Sequence, residues 1–265
     1  MITLTCLDCI KGLKAIEPEK LDVVVTSPPY NLGIDYKCAY NDKMPREDYL
    51  RWLCDVGYAI HKALSDQGSF FLNIGSKPTD PTIPFDVLAV MLTMFKLQNT
   101  FHWIKSISIE TKNADIKSYG HFKPINSPRF VNDCHEYIFH LTKHGNVPLD
   151  RLAIGVPYTD ATNINRWATK SDVRCKGNNW YIPYETIQSR EDDRPHPATF
   201  PVELPELCFR LHGLDRITWA CDPFVGIGSS AIAAKKLKIP NFTGMDLSKS
   251  YIRRAQAMLE VADAT

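Results

Sequence analysis

The run Ile217-Thr218-Trp219-Ala220-Cys221-Asp222-Pro223-Phe224-Val225-Gly226-Ile227-Gly228-Ser229-Ser230-Ala231 decides the fold. Its first five residues suit a buried strand, Pro223 cannot continue a ladder, and the small residues after Gly228 predict a helix over 229–238. Gly226 and Gly228 permit positive φ and let a ligand approach the backbone without a Cβ in the way. The amides at the helix start would welcome a carboxylate or phosphate. A second strand at 241–245 leads to Asp246, twenty residues after Gly226. A carboxylate there can accept hydrogen bonds from both hydroxyls of a ribose. The same residues fit a dinucleotide fingerprint, Gly226-x-Gly228-x-x-Ala231, and a plain strand–helix turn would look alike. Nineteen residues follow Asp246, enough for a helix over 248–262 and too few for the rest of a sheet. The sheet must therefore be completed by upstream strands, with the nucleoside half-site late in the chain and the chemistry early. That order speaks against a nicotinamide-dependent oxidoreductase.

Upstream, Leu21-Asp22-Val23-Val24-Val25-Thr26 is a β-branched strand that stops at Ser27-Pro28-Pro29. Helices are expected over 46–64, 84–96 and near 202–212, and strands over 69–74, 100–104 and 136–141. Such alternation implies an α/β fold, a largely parallel sheet with helices on both faces. In the Thr26–Tyr30 turn the two prolines fix φ and exclude sheet pairing. Carbonyls freed there can face a ligand at the carboxyl end of the strand, and Tyr30 offers a stacking face to a planar base.

At 265 residues, 44% hydrophobic and 23% charged, the chain has globular composition, which sets aside disordered and collagen-like readings. Lys plus Arg is 31 and Asp plus Glu is 30, so whole-chain charge says little about partners. The distribution says more. Residues 101–190 hold twelve Lys/Arg and eight Asp/Glu, a net of +4 against −3 elsewhere. Basic residues in this irregular third could track a phosphate backbone or merely form a solvated surface. No apolar run is long enough for a bilayer, and the N-terminus lacks the basic and apolar regions of a secretory signal. A cytoplasmic protein without a membrane partner is expected. Of eight cysteines only Cys6 and Cys9 have zinc-knuckle spacing and no second pair exists, so no metal is expected.

Taken together, the motifs resemble those of the S-adenosylmethionine-dependent amino-methyltransferases of DNA, in the subgroup whose catalytic motif precedes the cofactor motif. Thr26-Ser27-Pro28-Pro29-Tyr30-Asn31 is similar to the catalytic motif, and Asp222-Pro223-Phe224-x-Gly226-x-Gly228 to the cofactor loop. Leu7-Asp8-Cys9-Ile10 resembles an N-terminal Gly-Asp-Cys element with Leu7 in the glycine position, and Arg194–Pro201 resembles the segment before the cofactor strand. The resemblance covers the whole chain. It implies a Rossmann-like methyltransferase fold with a mixed, mostly parallel, seven-stranded sheet, in one catalytic domain over 1–265. Within it a target-recognition region is expected at about 144–190 and a DNA-facing loop at about 106–133.

The family's roles fall on this chain as follows. Asp222, Phe224, Gly226, Gly228, Ser229 and Ser230 would hold the methionine end of S-adenosylmethionine, Asp246 its ribose and Asp8 its adenine. Thr199 and Phe200 would close the pocket. Ser27, Pro28, Pro29 and Tyr30 would form the catalytic turn that holds a nucleotide flipped from duplex DNA. Lys123, Arg129, Arg166, Lys170 and Arg174 are candidate DNA contacts. A cognate restriction endonuclease acting at the same site is an implied partner, and the enzyme would be a monomer or homodimer.

An exocyclic amine on a nucleobase is a poor nucleophile because its lone pair is delocalised into the ring. Acceptance of its hydrogens by Ser27 Oγ and the Pro28 carbonyl would favour a more nucleophilic nitrogen, which then needs alignment only. Ring-carbon methylation would need a cysteine nucleophile; in the related enzymes it follows proline, and this chain has no Pro-Cys dipeptide. Within the family Ser-Pro-Pro-Tyr is commoner among N4-cytosine enzymes, as is the set His121–Arg129 with Asn132-x-Cys134-His135-Glu136. The expected product is N4-methylcytosine, with N6-adenine methylation as the alternative and an RNA methyltransferase as the more distant one.

Overall fold

The computed structural model describes residues 1–36, 38, 40–105, 108–110, 116–118, 127–158, 172–183 and 199–261, with backbone alone at 108–110 and 116–118. The chain runs β1 (Ile2–Cys6), α1 (Cys9–Ala15), β2 (Leu21–Thr26), α2 (Arg46–Ala63), β3 (Leu64–Ile74), α3 (Ile83–Met91) and β4 (Lys96–Ile104). Short strands β5 (Ser108–Glu110) and β6 (Ile116–Ser118) precede β7 (His135–Thr142). Then come β8 (Val156–Pro157), β9 (Val173–Arg174), β10 (Asn179–Tyr181) and α4 (Glu203–His212). The final units are β11 (Trp219–Asp222), α5 (Ser229–Lys236), β12 (Asn241–Asp246) and α6 (Lys249–Val261).

Eight strands form the main sheet among the described residues, in the order β1-β12-β11-β2-β3-β7-β4-β10. Only β7 runs against its neighbours. The α/β reading with a mixed, mostly parallel sheet therefore holds, but the strand number is eight rather than seven. The extra strand is β10, which pairs with β4 at the sheet edge over Asn179↔His102, Trp180↔Trp103 and Tyr181↔Ile104. Three residues are too few to show a period of two. What holds them is aromatic packing: Trp180 is buried and stacks on Phe101 at 4.5 Å between centroids. Trp103 Nε1 also donates to the Ile182 carbonyl at 3.0 Å. Part of the segment assigned to target recognition is thus built into the core sheet.

The valine run of β2 is buried on both faces, as a parallel strand covered by helices must be. Val23 and Val25 pack with residues of α4, α5 and α6, whereas Leu21 and Val24 pack with α1, α2 and α3. In α2 the buried positions Tyr49, Leu53, Val56 and Ile60 recur at helical spacing and give it one apolar face. Helix α3 ends at Met91, short of the expected 96. Thr93 Oγ1 donates to the Val90 carbonyl at 2.7 Å, a local bond that competes with helix continuation.

Topology fixes the position of the site. From β2 the chain crosses through α2 to β3 on one side, and from β11 through α5 to β12 on the other. Strands β2 and β11 are direct neighbours, paired at Ala220↔Val23 and Cys221↔Val24. Their carboxyl ends diverge at this switch point, where open α/β sheets form their ligand crevice. Among the described residues no helix is long and apolar enough to cross a membrane, and no group of three or more His, Cys, Asp or Glu is arranged to hold a metal ion.

Candidate active site

Two acidic residues organise the turn after β11. Asp222 is fully buried and accepts from Ser230 Oγ at 2.6 Å, Phe224 N at 3.0 Å and Thr26 Oγ1 at 2.5 Å. Burial pushes its carboxyl up to about 6 against the pull of these donors. The bond to Thr26 joins the end of β11 to the end of β2, so Asp222 staples the two turns together from behind. Asp246 accepts from Gly226 N at 3.2 Å and Ser248 N at 2.7 Å, and burial raises its carboxyl. Gly226 and Gly228 have φ of 52° and 97°, as expected for positions that only glycine adopts readily. A Cβ at 228 would also lie 2.9 Å from Ala255 Cβ.

A cavity of about 300 Å³ opens at this edge of the sheet. Leu7, Asp8 and Cys9 line it from the end of β1, Ser27, Pro28, Pro29 and Tyr30 from β2, and Phe224, Gly226 and Ser229 from the glycine turn. Asp246, Thr199 and Phe200 line it as well. Asp222, Gly228 and Ser230 are not among the lining residues. They shape the turn from the protein side, Gly228 against α6 and Ser230 against Asp222. Asp8 also caps α1, with Oδ1 accepting from Lys11 N at 3.0 Å.

One wall was not foreseen. Tyr36, Tyr40, Met44 and Trp52 line the cavity, with Tyr40 and Phe224 lying 5.2 and 5.7 Å from Trp52 between ring centroids. The segment is clasped by Asp42, whose carboxylate accepts from the backbone amides of Asn31, Gly33 and Ile34 at 2.8–3.0 Å. The Tyr40 hydroxyl is buried without a hydrogen-bond partner among the described residues. Irregular loops carry no periodicity, and only the aromatic content of 36–52 marked this wall in the sequence.

On the other side of β2 lies a polar network. Ser27 Oγ is 2.6 Å from Tyr30 OH, and Tyr30 OH donates to Glu136 Oε2 at 2.9 Å. Asn73 Nδ2 donates to Tyr30 OH at 2.8 Å and Glu136 Oε2 at 2.6 Å. Lys105 Nζ pairs with Glu136 Oε1 at 2.8 Å. Asn73 is the penultimate residue of β3 and Lys105 follows β4, while Glu136 is the second residue of the antiparallel β7. That reversal is why an early residue of β7 reaches the carboxyl ends of the others.

Residues 21–257 match the family model for DNA methylases of the N6/N4 class. The chain belongs to this family. Across 97% of its length this methylase is 28% identical to the type II methyltransferase M.HpaI of Haemophilus parainfluenzae, covering 74% of that protein. Its fold is that of the cytosine-N4-specific PvuII DNA methyltransferase, with a TM-score of 0.66 at 16% identity over 99% of this chain and 91% of the other. It is also that of TTHA0409 from Thermus thermophilus in complex with S-adenosyl-L-methionine, with a TM-score of 0.65 at 19% identity over 99% and 94% of the two chains.

Of the methylase's candidate DNA contacts, Arg129 is exposed with its guanidinium 4.9 Å from the Phe130 ring centre. Arg174 is exposed on β9. Neither lines the cavity. Lys123, Arg166 and Lys170 lie outside the described residues.

Proposed function

We propose that the chain transfers a methyl group from S-adenosylmethionine to the exocyclic N4 of a cytosine turned out of duplex DNA. The observation that carries this reading is that Ser27 and the turn at 224–229 line one cavity and are tied together behind it by Asp222. The donor set suits the cofactor. Asp246 and Asp8 offer acceptors for ribose hydroxyls and an adenine amine, Tyr40 a hydroxyl without a partner among the described residues, and Trp52 and Phe224 aromatic faces for a cation. When bound, S-adenosylmethionine supplies an electrophilic methyl on a sulfonium.

The chain's own residues do the rest. Ser27 Oγ and the Pro28 carbonyl accept the hydrogens of the target amine, Pro29 stiffens the turn, and the Tyr30 ring supports the flipped base. Thr199 and Phe200 close the cofactor side. Carbon methylation is disfavoured at this site. Cys9 lines the cavity, but burial, helped by Asp8, pushes its thiol up to about 12. Neither Cys9 nor Cys38 follows a proline. The excess of basic residues over 101–190 supports a DNA face there. The loop at about 106–133 would follow the duplex, and the parts of 144–190 outside β10 would read the target. Lys123, Arg129, Arg166, Lys170 and Arg174 would contact phosphate. A type II relative favours a companion endonuclease of the same site.

The test is to incubate the protein with methyl-labelled S-adenosylmethionine and unmodified genomic DNA, with total RNA in parallel. Label in DNA is the expected result. Label confined to RNA, or binding of NAD in place of S-adenosylmethionine, would overturn the reading.

A further inference from the structure

We propose that Glu136, acting through Tyr30, holds Ser27 as an obligate hydrogen-bond acceptor and takes up the proton that the target amine releases. The proposal rests on the reading of the cavity as an amine-methylation site. It begins from the direction in which hydrogens must point. Lys105 pairs with Oε1 of Glu136 at 2.8 Å, leaving Oε2 toward Tyr30 and Asn73. A carboxylate only accepts, so the Tyr30 hydroxyl hydrogen lies on the 2.9 Å contact to Glu136. The Tyr30 oxygen then accepts from Asn73 Nδ2 at 2.8 Å and from Ser27 at 2.6 Å. Were Tyr30 to donate to Ser27 instead, two acceptors would face each other inside the protein, an arrangement that burial penalises.

Ser27 therefore spends its hydrogen on Tyr30, receives Asn73 Nδ2 at 3.3 Å, and meets a ligand through its remaining lone pair. An amine matches that surface and a carbonyl does not. Lys105 and the bonds from Asn73 and Tyr30 keep the Glu136 carboxyl below its ordinary range, although burial alone, the largest effect, would raise it. Burial and the neighbouring Glu136 raise the Tyr30 phenol, so it keeps its hydrogen. Among the described residues Tyr36 also acts on Tyr30, and His135 faces Glu136 and Lys105 with His102 and Asp133 around it. Gly75 leaves the space: a Cβ there would lie 3.0 Å from both Glu136 Cγ and Tyr30 Cε2.

The step balances without a further reactant. As the N–CH₃ bond forms and the S–CH₃ bond breaks, the sulfonium becomes a neutral thioether and the amine nitrogen gains the positive charge. Its N–H bond then breaks toward Ser27 Oγ, while the Ser27 hydrogen passes to Tyr30 and the Tyr30 hydrogen to Glu136. Ser27 and Tyr30 end as hydroxyls and Glu136 as a neutral acid. Glu136 touches neither base nor cofactor and is a positioning residue and proton sink.

The experiment uses the full chain and a duplex carrying its site, located by modification-detecting sequencing of DNA treated with the wild type. Affinity is measured without cofactor for this duplex and for one whose target amine is replaced by a carbonyl, uracil for cytosine or hypoxanthine for adenine. Comparing the amine-to-carbonyl affinity ratio between proteins cancels the easier opening of the mismatched pair. In Glu136→Gln the amide NH₂ can donate to Tyr30 and reverse the chain, so the ratio is expected to fall about tenfold. Single-turnover methylation should fall about 10²–10⁴-fold. Its pH profile should gain an upward slope relative to the wild type, with thermal midpoint and cofactor affinity retained. Tyr30→Phe interrupts the same chain and substitutes if Glu136→Gln does not fold. An unchanged ratio and rate, or a rate loss that tracks stability with no change in ratio or pH profile, overturns the proposal. A wild type that methylates no DNA overturns the functional reading with it; methylation with an unaffected Glu136→Gln overturns this proposal alone.

Discussion

The two sides of the cavity are built differently. On the proposed cofactor side, Asp222 and Asp246 accept from backbone amides two residues ahead, at Phe224 and Ser248, and from groups that tie neighbouring turns. On the proposed base side, Ser27, Tyr30, Asn73, Lys105 and Glu136 bond side chain to side chain across the ends of β2, β3, β4 and β7. One side is fixed by local backbone geometry, the other by the relative placement of four strands. The first is suited to hold a cofactor in one pose. The second fixes hydrogen positions where the proposed proton path runs.

Substitutions should separate the two sides, or show that they do not separate. The largest effect is expected for Ser27→Ala, whose single-turnover methylation should drop about 10²–10⁴-fold while cofactor affinity by calorimetry stays within about twofold. A parallel loss of cofactor affinity would break the distinction. Asp222 belongs to both sides, and Asp222→Ala leaves the Thr26 and Ser230 hydroxyls and the Phe224 amide without their acceptor. It should lose about 2–4 kcal/mol in urea unfolding and weaken rate and binding together; wild-type stability would remove Asp222 as the staple. Asp246→Ala should weaken S-adenosylmethionine by about 1.5–3 kcal/mol and leave the rate at saturating cofactor near wild type. Unchanged calorimetry in a folded variant would take Asp246 out of the site.

A smaller effect per unit of pH sharpens the contrast from below. Asn99 Nδ2 bonds His140 Nδ1 at 3.1 Å, His140 Nε2 bonds Ser69 Oγ at 2.9 Å, and Ser69 Oγ bonds His212 Nδ1 at 2.9 Å. This buried chain lies under the base side. Burial lowers His140 to about 3 and His212 to about 4 from 6.5. The unfolded chain binds these protons first, so the stability they contribute is whole above pH 6.5 and is lost as pH falls through the folded values. The loss should be about 1.4 kcal/mol per pH unit for each histidine at most. Hydrogen exchange at pH 5 should lose protection in the β3–β7 pairing before β11–β12. The reverse order would contradict the assignment.

This contrast also explains what could be read from the sequence. The glycine-turn wall lies within one stretch from 217 to 246, where glycine spacing, strand pattern and a strand-end acid are neighbours on the chain. Even there the pattern marked the turn without saying which way its residues face: Asp222, Gly228 and Ser230 support it from behind. Asn73 stands as a single polar residue in the apolar run 70–74, a signal that has meaning only once β3 lies beside Tyr30. Glu136 and Lys105 depend on β7 running antiparallel, which no local period encodes. Strand β1, five residues long with alternating threonines, and the three-residue β10 gained their place from pairing partners instead of from their own pattern.

Product identity tests the account most directly. DNA methylated by the purified protein is digested to nucleosides and analysed by mass spectrometry. Ser27 accepts as a neutral hydroxyl where an aspartate would accept as an anion, and discrimination between bases falls to the pocket around the flipped ring. N4-methylcytosine is the predicted new nucleoside. N6-methyladenine alone would contradict the base assignment while keeping the amine chemistry. 5-Methylcytosine would contradict the mechanism itself.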